Sequence, residues 1–138
     1  SRDAARLSDL ANLQQALNVA VNESSQQPHS ILCSNDPSAS FCPGNSIRDG
    51  NSTDGSGWIR ANLGNLKAMS LPKLPKDPVN NLFHHYTYCS SGGKWEIDTV
   101  LESNQQSGKM KTDGGNDDSK YEVGSNLMLI NKDGNCVY

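Results

Sequence analysis

The sequence predicts an α+β domain in which one long N-terminal helix packs on a small antiparallel sheet of about three to four strands. Three patterns carry this expectation. Apolar residues recur in steps of three and four from Arg2 to about Glu23, the period of a helix with one buried face. They alternate in steps of two from about residue 82 onward, the period of half-buried strands. Between the two lies a stretch rich in Pro, Gly, Asn and Ser, which reads as a connection and not as a regular element.

The length of 138 residues fits a single domain. Its parts are the helix over 1–25, a connecting region over 26–81, and the sheet with an acidic loop and a C-terminal segment over 82–138. With a hydrophobic fraction of 34%, the apolar residues must be concentrated in a few elements for one core to form. Net charge is -3, and Lys and Arg gather nowhere as a nucleic-acid groove or an anionic membrane surface would require.

In the helix the stripe is Leu7, Leu10, Leu13, Leu17 and Val21, with Ala4, Ala11 and Ala20 beside it. Asp3, Arg6, Asp9, Asn12, Gln15 and Asn18 fall on the polar face. Ser24, Ser25 and Pro28 end the pattern, because proline cannot continue a helix. Helical periodicity starts at Arg2 with no cap-rich lead-in, as though the helix continued from something upstream. Within the connection, Trp58, Ile59, Leu63, Leu66, Met69, Leu71 and Leu74 supply apolar surface to fold it onto the domain, with a short helical turn near Ile59 to Leu66. Leu82 to Ser90 then reads as a strand, Gly92-Gly93 as a turn, Lys94 to Ser103 as the second arm of a hairpin, and Tyr121 to Asn131 as a third strand.

The cysteines at 33, 42, 89 and 136 lack the C-x-x-C spacing of a zinc knuckle or a redox pair and read as disulfides, which places the chain outside the reducing cytosol. Of the three possible pairings, the favoured one joins Cys33 to Cys42, closing a short loop, and Cys89 to Cys136, tying the C-terminal end to the first strand.

Few residues suggest chemistry. His84 and His85, as neighbours on a strand, would point to opposite faces, and His29 lies apart in a loop. No G-x-S-x-G, P-loop or dinucleotide fingerprint occurs. Glu96, Asp98 and Glu102 share one strand face, which is expected to be solvated. The loop Thr112-Asp113-Gly114-Gly115-Asn116-Asp117-Asp118 is the sharpest signal: three carboxylates and an amide with two flexible glycines suit a hard cation. Its spacing is not that of an EF-hand, and on the residues alone a plain acidic turn stands ahead of a calcium site.

Taken in order, several pieces resemble a type IV pilin or the related major pseudopilin of type II secretion, over essentially the whole chain. They are the helix Arg2-Asp3-Ala4-Ala5-Arg6-Leu7-Ser8-Asp9-Leu10 through Gln15-Ala16-Leu17, the segment Leu74-Pro75-Lys76-Asp77-Pro78-Val79-Asn80-Asn81 ahead of Tyr86-Thr87-Tyr88-Cys89, and then Glu96, Leu101-Glu102-Ser103, Asp113-Gly114-Gly115 and Tyr121-Glu122-Val123-Gly124. In such proteins a Leu-Pro-x-Asp-Pro segment leads into the first strand. The resemblance implies a non-enzymatic structural subunit that assembles with like subunits into a surface filament. It also implies a precursor with a short basic leader and an apolar half-helix before Ser1, which anchors the subunit in the membrane before assembly. A calcium ion in the C-terminal loop follows from the same resemblance, with Asp113, Asn116, Asp117 and Asp118 as candidate ligands. An adhesion ligand or DNA is left open as a partner. The alternatives are a pseudopilin acting as a short secretion piston and, in a different class, a secreted calcium-dependent binding module; a small hydrolase comes last, for want of a nucleophile and base.

Overall fold

The computed structural model describes residues 2–69, 71–103 and 106–136. Helix α1 spans Arg2–Glu23 and buries Leu10, Leu13, Ala16, Leu17 and Ala20, the face that its periodicity selects. A one-turn helix, α2 (Pro28–Leu32), follows with proline in its first turn, where the missing N–H costs nothing. The sheet comprises β1 (Cys42–Asn45), β2 (Thr87–Ser91), β3 (Lys94–Thr99) and β4 (Tyr121–Gly124), antiparallel throughout and ordered β1-β2-β3-β4. A short helix, α3 (Lys109–Thr112), precedes β4. The architecture is therefore α+β, a long helix against a four-stranded antiparallel sheet.

One sheet face carries Tyr88, Trp95 and Ile97 and forms the main core with Leu10, Leu13 and Leu17 of α1. The connection contributes Trp58, Ile59, Leu63 and Leu74 to this core without forming a helix near 59–66. There the Asn62 side chain accepts from the Gly64 N–H and the Thr53 carbonyl accepts from Leu63 and Gly64, a local arrangement that competes with helical bonding. The buried indole of Trp58 donates to the Pro75 carbonyl at 2.9 Å, so its one polar atom is satisfied.

The strands are shorter than their alternating patterns suggest. Before β2, the Asn81 side chain accepts from the Phe83 and His84 N–H groups and closes a turn. His84 and His85 thus lie in a loop and not on a strand. After β4, Gly124 adopts φ +154, and a Cβ there would meet the Trp95 backbone. Ser125 and Asn126 donate back to the Trp95 carbonyl, so the chain leaves the ladder at Gly124 in place of running on to Asn131. The C-terminal segment instead crosses the second sheet face. There Leu129 and Ile130 pack on Cys89 with Phe41 and Cys136. Disulfides join Cys33 to Cys42 and Cys89 to Cys136, the second fixing this outer layer to β2.

Asp3 and Arg6 depart from the expected polar face: both are buried. The Arg6 guanidinium donates twice to Asp77 at 2.9 Å, to Asp3 at 2.9 Å and to Glu102 at 2.5 Å. Asp3 in turn accepts from the Glu102 and Ser103 N–H groups. Glu102 therefore belongs to this network at the start of α1; it lies beyond the end of β3 and not on that strand.

Candidate metal centre

Among the described residues, one set of His, Cys, Asp and Glu side chains converges closely enough to hold a single ion: Glu96, Asp98 and Glu122. Strand geometry places them together. Glu96 and Asp98 are two residues apart on β3 and share a face, and Asp98 is the direct partner of Glu122 on β4. One oxygen from each lies within 4.8 Å of the others. The expectation of a solvated face is overturned for Glu96 and Asp98, which are 0% and 2% exposed, and Glu122, which that expectation did not include, is buried beside them at 2%. What the sequence pattern hides is the C-terminal layer, which covers a face that would otherwise meet water.

Glu96 shows how the layer is held. Its Oε1 accepts from the Leu129 and Ile130 N–H groups at 2.9 and 3.1 Å, while its Oε2 has no hydrogen-bond partner. Both oxygens of Asp98 and Oε1 of Glu122 are likewise buried without a donor. Burial and the neighbouring Glu96 push the Asp98 carboxyl up to about 11, and the same two causes push Glu122 up to about 8. Lys120 is the cation that opposes this rise at Asp98, and it lines the same 150 Å³ cleft as Asp98, Thr87 and His85.

The acidic loop meets this cluster from the side. Asp113 is committed to the backbone, accepting from Gly115 and Glu122 at 2.8 Å each. Asp117 accepts from the Ser119 N–H and hydroxyl through Oδ1, and its own N–H donates to Glu122 Oε2 at 3.2 Å. Asn116 donates to the Ile130 carbonyl. Asp117 Oδ2 and Asn116 Oδ1 remain buried without a partner, whereas Asp118 is exposed. Gly115 lies so close to the Glu122 carboxylate that a Cβ would overlap it, which explains the glycine at this point. Of the four loop residues singled out from sequence, Asn116 and Asp117 have unsatisfied oxygens; the three strand carboxylates were legible only as alternation.

Three like charges on adjacent strand positions repel one another, and their desolvation disfavours ionisation further. Such a set is satisfied either by protons or by a hard cation with oxygen ligands. Comparison of the chain with protein-family models, with curated proteins and with solved structures found no match. The fold and the site thus define an α+β domain whose outer layer closes over a buried acidic centre.

Proposed function

We propose that the chain is the extracytoplasmic domain of a structural subunit of a type IV pilus or pilus-like filament, with no catalytic role. The observation that carries this reading is the layering: a helix of 22 residues at one end of the chain, packed on an antiparallel sheet, with the ordered pilin-like segments at its contacts. In particular, Asp77 of the Leu-Pro-Lys-Asp-Pro segment binds Arg6 of α1, so two separate parts of the resemblance meet in one buried network. Two disulfides suit a surface location in an oxidising compartment.

No helix among the described residues is long and apolar enough to cross a membrane. In this reading the membrane anchor and filament core come from the apolar half-helix that the pilin resemblance implies. Side-by-side burial of such helices, repeated through a contact that does not close, generates a helical fibre. Production of the full precursor alongside a pilus assembly system, with negative-stain electron microscopy, is expected to show filaments that label with antibody to this domain. Recovery of the protein solely as a secreted monomer would support the binding-module alternative instead.

A further inference from the structure

We propose that Leu82 and Phe83 form a knob that inserts into a socket at the far end of α1 on a second, parallel copy of this chain, joining copies head to tail. The contact deepens the filament reading, on which its biological role rests, by naming the two faces that meet. The association itself is measurable without filaments.

Among the described residues, the large hydrophobic side chains left exposed are Leu82, Phe83, Met128 and Ile47, and the first two stand out at 81% and 79%. Their loop is held in place. The Asn81 N–H donates to the His84 carbonyl, the Asn81 side chain accepts from Phe83 and His84, and the His85 ring donates to the Asn81 carbonyl. Asn80 adopts φ +53, alone among the described non-glycine residues, and its side-chain amide exchanges two bonds with buried Ser46, the neighbour of Ile47. Three of the exposed side chains therefore sit on two loops tied to each other. A less favoured backbone conformation, fixed by a buried partner, presents adjacent apolar side chains to water, and their burial in a second molecule is favourable.

The socket is a 320 Å³ hollow between the last turn of α1, α2 and the connection, with Ala20, Ile31 and Leu66 as its apolar wall and Glu23 and Asn65 beside them. Knob and socket lie toward opposite ends of α1. The knob loop runs between Asp77, which binds Arg6, and Tyr86, which donates to Asp9, whereas the socket begins at Ala20. At the helical rise this separates them by roughly 15–25 Å along the axis. In copies whose helices run parallel, such faces meet only head to tail, and the contact repeats without closing. Charge is complementary as well. Residues 79–87 carry two imidazoles and no acid, while Glu23 is the one charged side chain lining the socket. Its oxygens are fixed by the Lys67 and Ala68 N–H groups and keep lone pairs for an imidazole N–H. Burial of one leucine and one phenylalanine is far less than a stable dimer needs and supports association only in about the millimolar range. Tethering in one membrane or filament supplies concentrations of that order.

The test is a concentration series of the purified, disulfide-intact chain up to about 2 mM, read by small-angle scattering for average mass and by amide chemical shifts. It compares wild type with a knob variant, Leu82→Ser with Phe83→Ser, and a socket variant, Asn65→Trp, which sets a bulky ring over the hollow. All three positions are exposed, so both variants should melt as wild type does. For wild type, the average mass should climb past that of a dimer while shifts at 20–31, 65–66 and 82–85 move together. Each variant alone should associate at least about 10-fold more weakly. A mixture of the two should form one-to-one pairs, because one intact knob and one intact socket remain. A wild type that stays monomeric at about 2 mM, or growth that stops at a dimer, would overturn the proposal. So would shifts confined to the knob that appear with zwitterionic phospholipid vesicles and not with added protein. If the precursor builds filaments while these results are negative, the contact fails and the filament reading stands; association without filaments means the reverse.

Discussion

Replacing Arg6 by alanine is expected to destabilise the domain by about 3–5 kcal/mol, the usual cost of removing one partner from a buried ion pair. The cost arises from what is left behind. Asp77 and Asp3 are 3% and 2% exposed, and each loses the guanidinium that compensates its charge. Lysine is a poor substitute, since the two parallel bonds to Asp77 need the planar fork of an arginine. Urea unfolding should show a lower midpoint with an unchanged slope. The same network sets the acid limit of stability. Burial alone would raise the Asp3 carboxyl, but the Ser103 and Glu102 N–H groups and Arg6 hold it down at about 2, and Asp77 is lowered against burial by Arg6 and the Val79 N–H. Unfolded carboxylates titrate near 3.9. The folded state therefore binds fewer protons in this window, so the stability these groups contribute is present above about pH 4 and is lost as pH falls toward 2. In Arg6→Ala the guanidinium no longer holds these two carboxyls down, so this stretch of pH-dependent stability should shrink. A variant as stable as wild type would show that the network is dispensable.

Removing the Cys89–Cys136 bridge with paired serines is expected to cost about 4 kcal/mol, against about 2.6 kcal/mol for Cys33–Cys42. Both figures follow from the entropy of closing loops with sequence separations of 47 and 9 residues. The two losses should also differ in place. Cys136 ends the layer over the acidic centre, so its release should expose 125–136 to exchange and proteolysis before the core opens. Release of Cys33 and Cys42 should act near α2 and β1. Thermal unfolding of the two double variants, with amide exchange on each, measures both effects. A larger loss from the shorter bridge would mean that the C-terminal layer is held mainly by other contacts.

The elements with a strong period were readable from sequence. The α1 stripe of Leu10, Leu13 and Leu17 and the alternation of Trp95 and Ile97 each locate a buried face, because burial of that face is what imposes the period. Where a side chain overrides the period, the sequence misleads. Asn81 closes a turn ahead of β2, and Gly124 ends β4 early, so the residues of two expected strands lie in loops. The polar strand face was misread for a different reason. Glu96, Asp98 and Glu122 alternate as solvated residues would, and only the return of the chain across the sheet, fixed by a bridge 47 residues long in sequence, buries them. Long-range coverage leaves no local trace. Arg6 is similar: its burial depends on Asp77, 71 residues away.

The filament reading makes its sharpest commitment about the residues that precede Ser1. Intact mass and N-terminal fragmentation of the protein isolated from its native cell surface, together with the coding sequence, determine them directly. An apolar helical run of about 20 residues continuous with α1 and retained in the mature protein is expected, long enough to cross the hydrocarbon core of a membrane. A mature chain that begins near Ser1 after removal of an ordinary secretory signal peptide would contradict the filament account.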